Sequence, residues 1–337
     1  MKTFDRFSKV LSVEGMAILF AFMAMVTYFS LSSDSFFALD SIRYYLNEAA
    51  PVLIITTGLT YVIIAGGIDL SIGAVLGLSA GTSLTFSMWG WPTWVSVLIG
   101  ISTGLLFGLL NAIIITYFKV NDFIVTLGTL NIASGLLTVL TDRKQLIGTS
   151  DKNFLKISGS GIFGLTSAIW ISLVVAVVLE IALVKTPFGR RVFATGLGRS
   201  PALISGIDVN GVKFRAYLIS GGLAGFGGVI LAAQLNSVQS GLASGYELAA
   251  IAGAVLGGVS LSGGRGSIWR AIVGALFLAT LKQGLQLMGV DSLIFQIITG
   301  LCILVGVVLD RGVYKFALKF SNRGFRKLDE FSGRERP

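Results

Sequence analysis

Between Leu70 and Phe118 no aspartate, glutamate, lysine or arginine interrupts forty-nine consecutive residues. Such a run has no place on the surface of a water-soluble domain. It is also too long for one helical crossing of a bilayer, which takes about 20 residues. The stretch WGWPTW at 89–94 divides it with a proline turn and interfacial tryptophans, so it reads as two spans. Other charge-free runs cover 15–33, 49–68, 123–141, 157–179, 216–246, 248–264 and 292–309. A further span from Ala271 to Val290 is broken only by Lys282, whose side chain would face a protein-lined cavity or snorkel. The expectation is an all-α polytopic membrane protein with about ten transmembrane helices. A β-barrel would instead show alternating segments of about ten residues. With 54% hydrophobic and 13% charged residues, and 43 glycines to let helices approach closely, the composition agrees.

Lysine and arginine concentrate in the N-terminal MKTFDRFSK, in the segment 185–215 and after Arg311. By the positive-inside bias these three regions are cytoplasmic, which puts both termini on one side and requires an even number of spans. The expected organisation is a cytoplasmic N-terminal segment 1–14, one transmembrane permease domain over 15–310 with a cytoplasmic loop at 186–213, and a basic cytoplasmic tail 311–337. The net charge of +9 is then a matter of topology, and no nucleic-acid partner is implied. The basic, apolar start lacks an A-x-A-like cleavage site and reads as an uncleaved first span. Cys302, the single cysteine, falls within a span and serves packing.

The chain has no histidine and few acids within its spans, whereas ion-coupled carriers place titratable groups near the midplane. No phosphate-binding G-x-x-x-x-G-K-[ST] loop occurs, so ATP is not hydrolysed here by that route. Metal ligation and nucleophilic catalysis lack their usual residues. The expectation is therefore no enzyme, no metal and no cofactor in this chain.

Some residues stand out against this apolar background. Asp69 in GGIDLSIGAV is the only charged residue from Ala49 to Phe118. Lying just before a helix start near Ser71, it reads as a group accepting free helix N–H bonds, with gating or cargo contact as alternatives. Glu247-Leu248 followed by GAVLG at 253–257 echoes Asp69-Leu70 followed by GAVLG at 73–77, a hint of an inverted repeat. Asn111, Thr126, Asn131, Asn236, Gln283 and Gln286 supply polar groups to the spans, suited to a translocation path or to interhelical bonds. In the long loop, Ser200 as N-cap, Pro201 at the first helical position and Gly206 at the C-terminus predict a helix of about one turn and a half.

Three segments carry a resemblance: GGIDLSIGAVLGL at 66–78, TPFGRRVFATGLGRSPALISGIDV at 186–209 and SGYELAAIAGAVLGGVSLSGGRG at 244–266. In that order the chain resembles the membrane permease of bacterial ABC importers for monosaccharides, the ribose/xylose-type permease family, over about residues 15 to 310. The resemblance implies a type II ABC importer-like fold of ten helices in the cell inner membrane. It implies a homodimer, or a pair with a sister permease. The partners would be a periplasmic sugar-binding protein and a cytoplasmic ATPase with two nucleotide-binding modules, which alone uses ATP. It makes Arg190, Arg191, Gly196, Arg199, Ser200, Pro201, Ala202, Gly206 and Ile207 the ATPase coupling loop. Asp69, Asn111, Thr126, Asn131, Asn236, Glu247 and Gln283 stay, from their own chemistry, the candidates for a path or gate, with capping or interhelical bonding as the alternative for each. Where family members commonly have Gly-Asn-x-x-Ala-Ala, this chain has Gly198 to Leu203 as GRSPAL. An ion-coupled secondary carrier, or a same-fold permease for a nucleoside or furanose-like signalling molecule, are the alternatives.

Overall fold

A computed structural model describes residues 13–159, 161, 163–291, 294–295, 297–302 and 304, with side chains from Ile18 onward. The basic tail 311–337 and residues 1–12 of the N-terminal segment lie outside them. The described elements, in chain order, are α1 (Val13–Ser32), α2 (Leu39–Ile64), α3 (Ile72–Met88), α4 (Thr93–Thr116), α5 (Asp122–Leu140), β1 (Leu146–Ile147), α6 (Lys152–Lys156), α7 (Ser167–Lys185), α8 (Pro187–Leu197), α9 (Arg199–Ile204), α10 (Val209–Leu235), β2 (Ser237–Val238), α11 (Tyr246–Leu256) and α12 (Ile268–Leu287). Residues 297–302 are also helical. Among the described residues six helices are long and apolar enough to cross a membrane: α2, α4, α5, α7, α10 and α12. Apart from one two-stranded ladder pairing Leu146 with Val238, the fold is helical, as expected.

α10 is the central post, packed on α2, α3 and α4. Its contact with α4 is backbone against backbone. A methyl group on Gly108 would lie 2.7 Å from the Tyr217 carbonyl and 3.0 Å from Gly221 Cα, and one on Gly221 would lie 2.6 Å from Gly108 Cα. Glycines at 100, 104 and 108 on α4 and at 221 and 225 on α10 thus let two apolar helices touch where lipid offers no hydrophobic drive to hold them.

Several expected boundaries move, and the reason is the same each time. The run 49–68 extends back to Leu39 because Glu48 lies inside α2 and is paired with Lys282. The run 157–179 becomes 167–185 because residues 152–159 form a short helix and turn, while Glu180 lies inside α7 with its carboxylate satisfied. Charges with partners do not end helices.

The larger correction concerns 216–246 and 248–264. α10 starts at Val209 and stops at Leu235, where Asn236 adopts a left-handed conformation. The chain then returns alongside α3 without helical structure: Val238 near Gly81, Leu242 near Gly77, Ala243 and Glu247 against Gly73. Only then does α11 begin, and it lasts 11 residues, about 16 Å. That is half a crossing. The crossing from 236 to 264 is therefore a strap of one short strand and turns, followed by a half-helix and a loop. Its Val238 and Ala243 are buried against the other helices, while Gln239, Gly241 and Ser244 are exposed, and non-helical backbone at membrane depth is tolerable only against protein or a water-filled cavity.

Candidate functional site

α3 starts inside the protein. α10 gives the depth: Lys213 Nζ reaches the Gly66 carbonyl (3.2 Å), the Tyr217 hydroxyl reaches Ile68 O (3.1 Å), and the Ser220 hydroxyl reaches Asp69. Asp69 thus lies about 10 Å further in than Lys213, at about 1.5 Å per residue. Its carboxylate is 2% exposed. Oδ1 accepts from the Ser71 amide (3.0 Å) and hydroxyl (2.6 Å), and Oδ2 from the Ser220 hydroxyl (2.7 Å). The Ser71 oxygen in turn accepts from Asn111 Nδ2 (2.9 Å), whose Oδ1 accepts from Thr129 (2.8 Å). One hydrogen-bonded chain therefore ties α5, α4, α3 and α10 through a single buried acid. Charge-assisted bonds of this kind are stronger than neutral ones, and each buried group left unpaired costs about 1–3 kcal/mol.

Nearer the α8 end a second cluster closes the same break. Asp122 Oδ2 accepts from Lys213 (2.9 Å) and from Tyr217 (3.1 Å), and both charged side chains are mostly buried. Thr126 donates to the Asp122 carbonyl at 2.8 Å and lies 3.3 Å from Ile68 O. Lys213, Tyr217, Ser220, Asp122 and Thr129 were not singled out from sequence. The recoverable signals were Asp122 following Asn121 at a helix start, and the spacing of 213, 217 and 220 along one helical face.

α11 starts at a matching depth and runs the other way. A methyl group on Gly73 would collide with the Glu247 carboxylate and lie 2.9 Å from its amide nitrogen, so Gly73 leaves the room into which α11's first turn fits. α3 leads from this meeting point away from the α8 end. α11 leads toward it, because the loop after α11 meets Gly66 and Gly196: a methyl on Gly263 would lie 3.0 Å from Gly66 Cα and 3.1 Å from Gly196 Cα. Gly264 N also donates to the Ile64 carbonyl (2.8 Å). The Glu247 carboxylate accepts from the Gly245 amide (3.0 Å), a bond within its own turn.

The loop 186–213 holds two helices where one was expected. Thr186 caps α8, accepting from the Gly189 amide (3.2 Å), with Pro187 in the first position; Thr-Pro was the readable signal. α8 is anchored by Phe188, which stacks on Tyr61, and by Gly196 in the glycine junction. In α9 the N-cap is Gly198 rather than Ser200, so Ser200 lies in the first turn and Pro201 is its third residue. Pro201 is tolerated there because first-turn amides lack helical partners in any case. Gly206 closes α9 in a left-handed conformation (φ 74°), with Ile207 N bonded to Ala202 O (3.0 Å) and Gly206 N to Leu203 O (3.0 Å). Ala202 and Ile207 turn inward, while Arg190, Arg191, Arg199, Ser200 and Pro201 are exposed. So are Leu197 (70%), Leu203 (51%) and Ile204 (89%).

The other residues scatter. Asn236 caps α10 and accepts from the Thr149 amide (2.9 Å), tying the chain after β1 to the post. Gln283 is buried on α12 and Gln286 exposed. Asn131 is exposed on the outer face of α5, bonded back to Leu127 O (2.9 Å), away from Asn111 and Thr126.

Several crossing helices, two helices that begin at mid-depth and run oppositely, and a two-helix platform at one end define a multi-pass membrane permease. A model of the family described as "Branched-chain amino acid transport system / permease component" matches residues 41–307, and the chain belongs to that family. It is 39% identical over 288 residues to the ribose import permease protein RbsC of Bacillus subtilis (85% of this chain, 89% of the relative). It is 31% identical over 287 residues to the D-allose transport system permease protein AlsC of Escherichia coli K12 (85% and 88%). It is also 30% identical over 295 residues to the autoinducer 2 import system permease protein LsrC of Photorhabdus laumondii (87% of each). No solved structure matches. The chain is an ABC importer permease and not itself an enzyme, and the ion-coupled carrier falls away as an alternative.

Proposed function

We propose that the chain moves a monosaccharide, a pentose or related sugar, into the bacterial cytoplasm by alternating access, receiving it from a periplasmic binding protein. A separate cytoplasmic ATPase with two nucleotide-binding modules supplies the energy, and a second permease copy completes the path. The α8 end faces the cytoplasm, since Lys185, Arg190, Arg191, Arg199, Lys213 and Arg215 gather there. Both termini lie on that side.

The observation that carries this reading is the α8–α9 platform. It exposes Leu197, Leu203 and Ile204 among arginines on its outer side, and through Gly196 it touches both Gly66 and Gly263. An apolar knob in a basic rim is what a helix fitting into an acidic-edged cleft of a partner presents. A push on the knob is delivered to the loops leading into α3 and out of α11, the two mid-depth starts. The relatives' names favour sugars, while the autoinducer 2 relative keeps a furanose-like signal in play.

The test is ATP hydrolysis by the chain co-purified with its ATPase in lipid, stimulated by binding proteins loaded with ribose, allose or autoinducer 2. Stimulation by a sugar-loaded protein supports the reading and names the cargo. Uptake driven by an ion gradient without any ATPase would end it.

A further inference from the structure

A cavity of about 130 Å³ opens between α2, α11, α12 and the helical residues 297–302. One ordered water needs roughly 10–15 Å³ by the same measure, so this space suits a small organic molecule. Its walls are mainly apolar, from Ala49, Val52, Ala249 and Leu278, but besides Thr299 they include Tyr45 and Glu48 of α2, Tyr246 of α11 and Lys282 of α12. Glu48 and Lys282 form an ion pair. Glu48 lies sixteen residues before the end of α2, about 24 Å from the α8 end, well within a bilayer's depth.

Such a pair is a poor stabilising device. Its side chains are 35% and 42% exposed, and partly exposed pairs are worth little, while charges at membrane depth are costly. What the pair does offer is chemistry. The carboxylate can accept further bonds and the ammonium can donate more, side by side, and together they carry no net charge. That suits a neutral molecule bearing vicinal hydroxyls, each of which needs a paired bond once stripped of water. The tyrosines add flat faces for the C–H side of a sugar ring. The α11 start lies beside them at mid-depth, the position at which broken helices serve transporters. A zwitterionic cargo such as an amino acid would have to break the pair to use it, whereas a diol can bridge it.

We propose that this cavity, walled by the Glu48–Lys282 pair, Tyr45 and Tyr246, is where the permease holds its sugar between release from the binding protein and discharge. This rests on the sugar-importer reading above.

The experiment uses the whole complex in proteoliposomes, with ribose-loaded binding protein outside and ATP inside, and reads ribose taken up per ATP hydrolysed. Glu48→Gln and Lys282→Met are each expected to lower that ratio at least tenfold, the worth of a lost charged bond, and Ala249→Leu, as a neutral plug, is expected to lower it as far by filling the space. The exchange Glu48→Lys with Lys282→Glu restores an ion pair but is expected not to restore the ratio, because donor and acceptor have traded places. Recovery by the exchange, or normal ratios in Ala249→Leu, would make the cavity structural and overturn the proposal while wild-type ribose uptake kept the importer reading intact. Failure of the wild-type complex to move ribose, allose or autoinducer 2 under ATP would remove both.

Discussion

Two helices begin at mid-depth in this protein, and they are finished differently. The start of α3 is closed: Asp69 is buried and receives three hydrogen bonds from Ser71 and Ser220, and behind it Asn111 bonds the Ser71 hydroxyl and Thr129 bonds Asn111. The start of α11 is open: Glu247 bonds within its own turn, and the neighbouring Tyr246 faces a cavity with a partly exposed ion pair. Both breaks need an acid because both expose free amides. Where the surrounding helices saturate that acid, it serves as architecture. Where they leave room, polar groups remain for a ligand to use.

The largest expected effect lies on the closed side. Asp69→Ala strands the Ser71 and Ser220 hydroxyls and should cost about 3 kcal/mol or more, read as a lower thermal midpoint in detergent and a loss of membrane-inserted protein. A stable, fully active Asp69→Ala would erase the distinction between the two starts. Next comes the α8–α9 platform, which meets the loops of both through the glycine junction. Gly206→Val forces a β-branched residue to positive φ, a local strain of about 1–2 kcal/mol, and should leave ATP hydrolysis running without uptake. Coupled uptake at the normal rate would remove α9 from the transmission. Lys213→Met leaves Asp122 with Tyr217 as its remaining side-chain partner and should cost about 1–2 kcal/mol, with part recovered in the double variant carrying Asp122→Asn. The smallest change sharpens the open side: Glu247→Gln keeps an acceptor for the Gly245 amide, so its midpoint should fall by no more than about 0.5 kcal/mol equivalent while uptake drops. If the midpoint falls as far as in Asp69→Ala, the second start is architecture too.

The helical class and the place of nearly every crossing were legible because charge-free runs report burial in lipid directly. The breaks at Asp69 and at WGWPTW were legible for a related reason, a lone acid beside glycines and a proline between tryptophans. The strap at 237–245 was not, since uncharged residues such as Ser, Val, Gln, Leu and Ala give no sign of whether they lie in turns beside α3 or in a helix, and only the contacts with Gly73, Gly77 and Gly81 decide. Ion pairs were hidden too. Glu48 and Lys282 stand 234 positions apart, and each read alone looked like the edge or flaw of a span. Of the polar residues named in advance, Asn111 and Thr126 gather at the Asp69 break because they face inward. Asn131, on the same helix as Thr126, faces out, a matter of helical phase that apolar surroundings on every side concealed.

The glycine junction has a bearing on how the protein is made. Gly66, Gly196 and Gly263 come together from three distant parts of the chain, so the first waits for about two hundred residues to be synthesised and inserted before its last neighbour arrives. At ribosomal rates of about 5–20 residues per second that delay is tens of seconds. Until then the Gly66 turn has no Gly263 against it, and α8 rests on half its seat. A truncated or stalled product can therefore insert its early helices and still lack a finished α8–α9 platform.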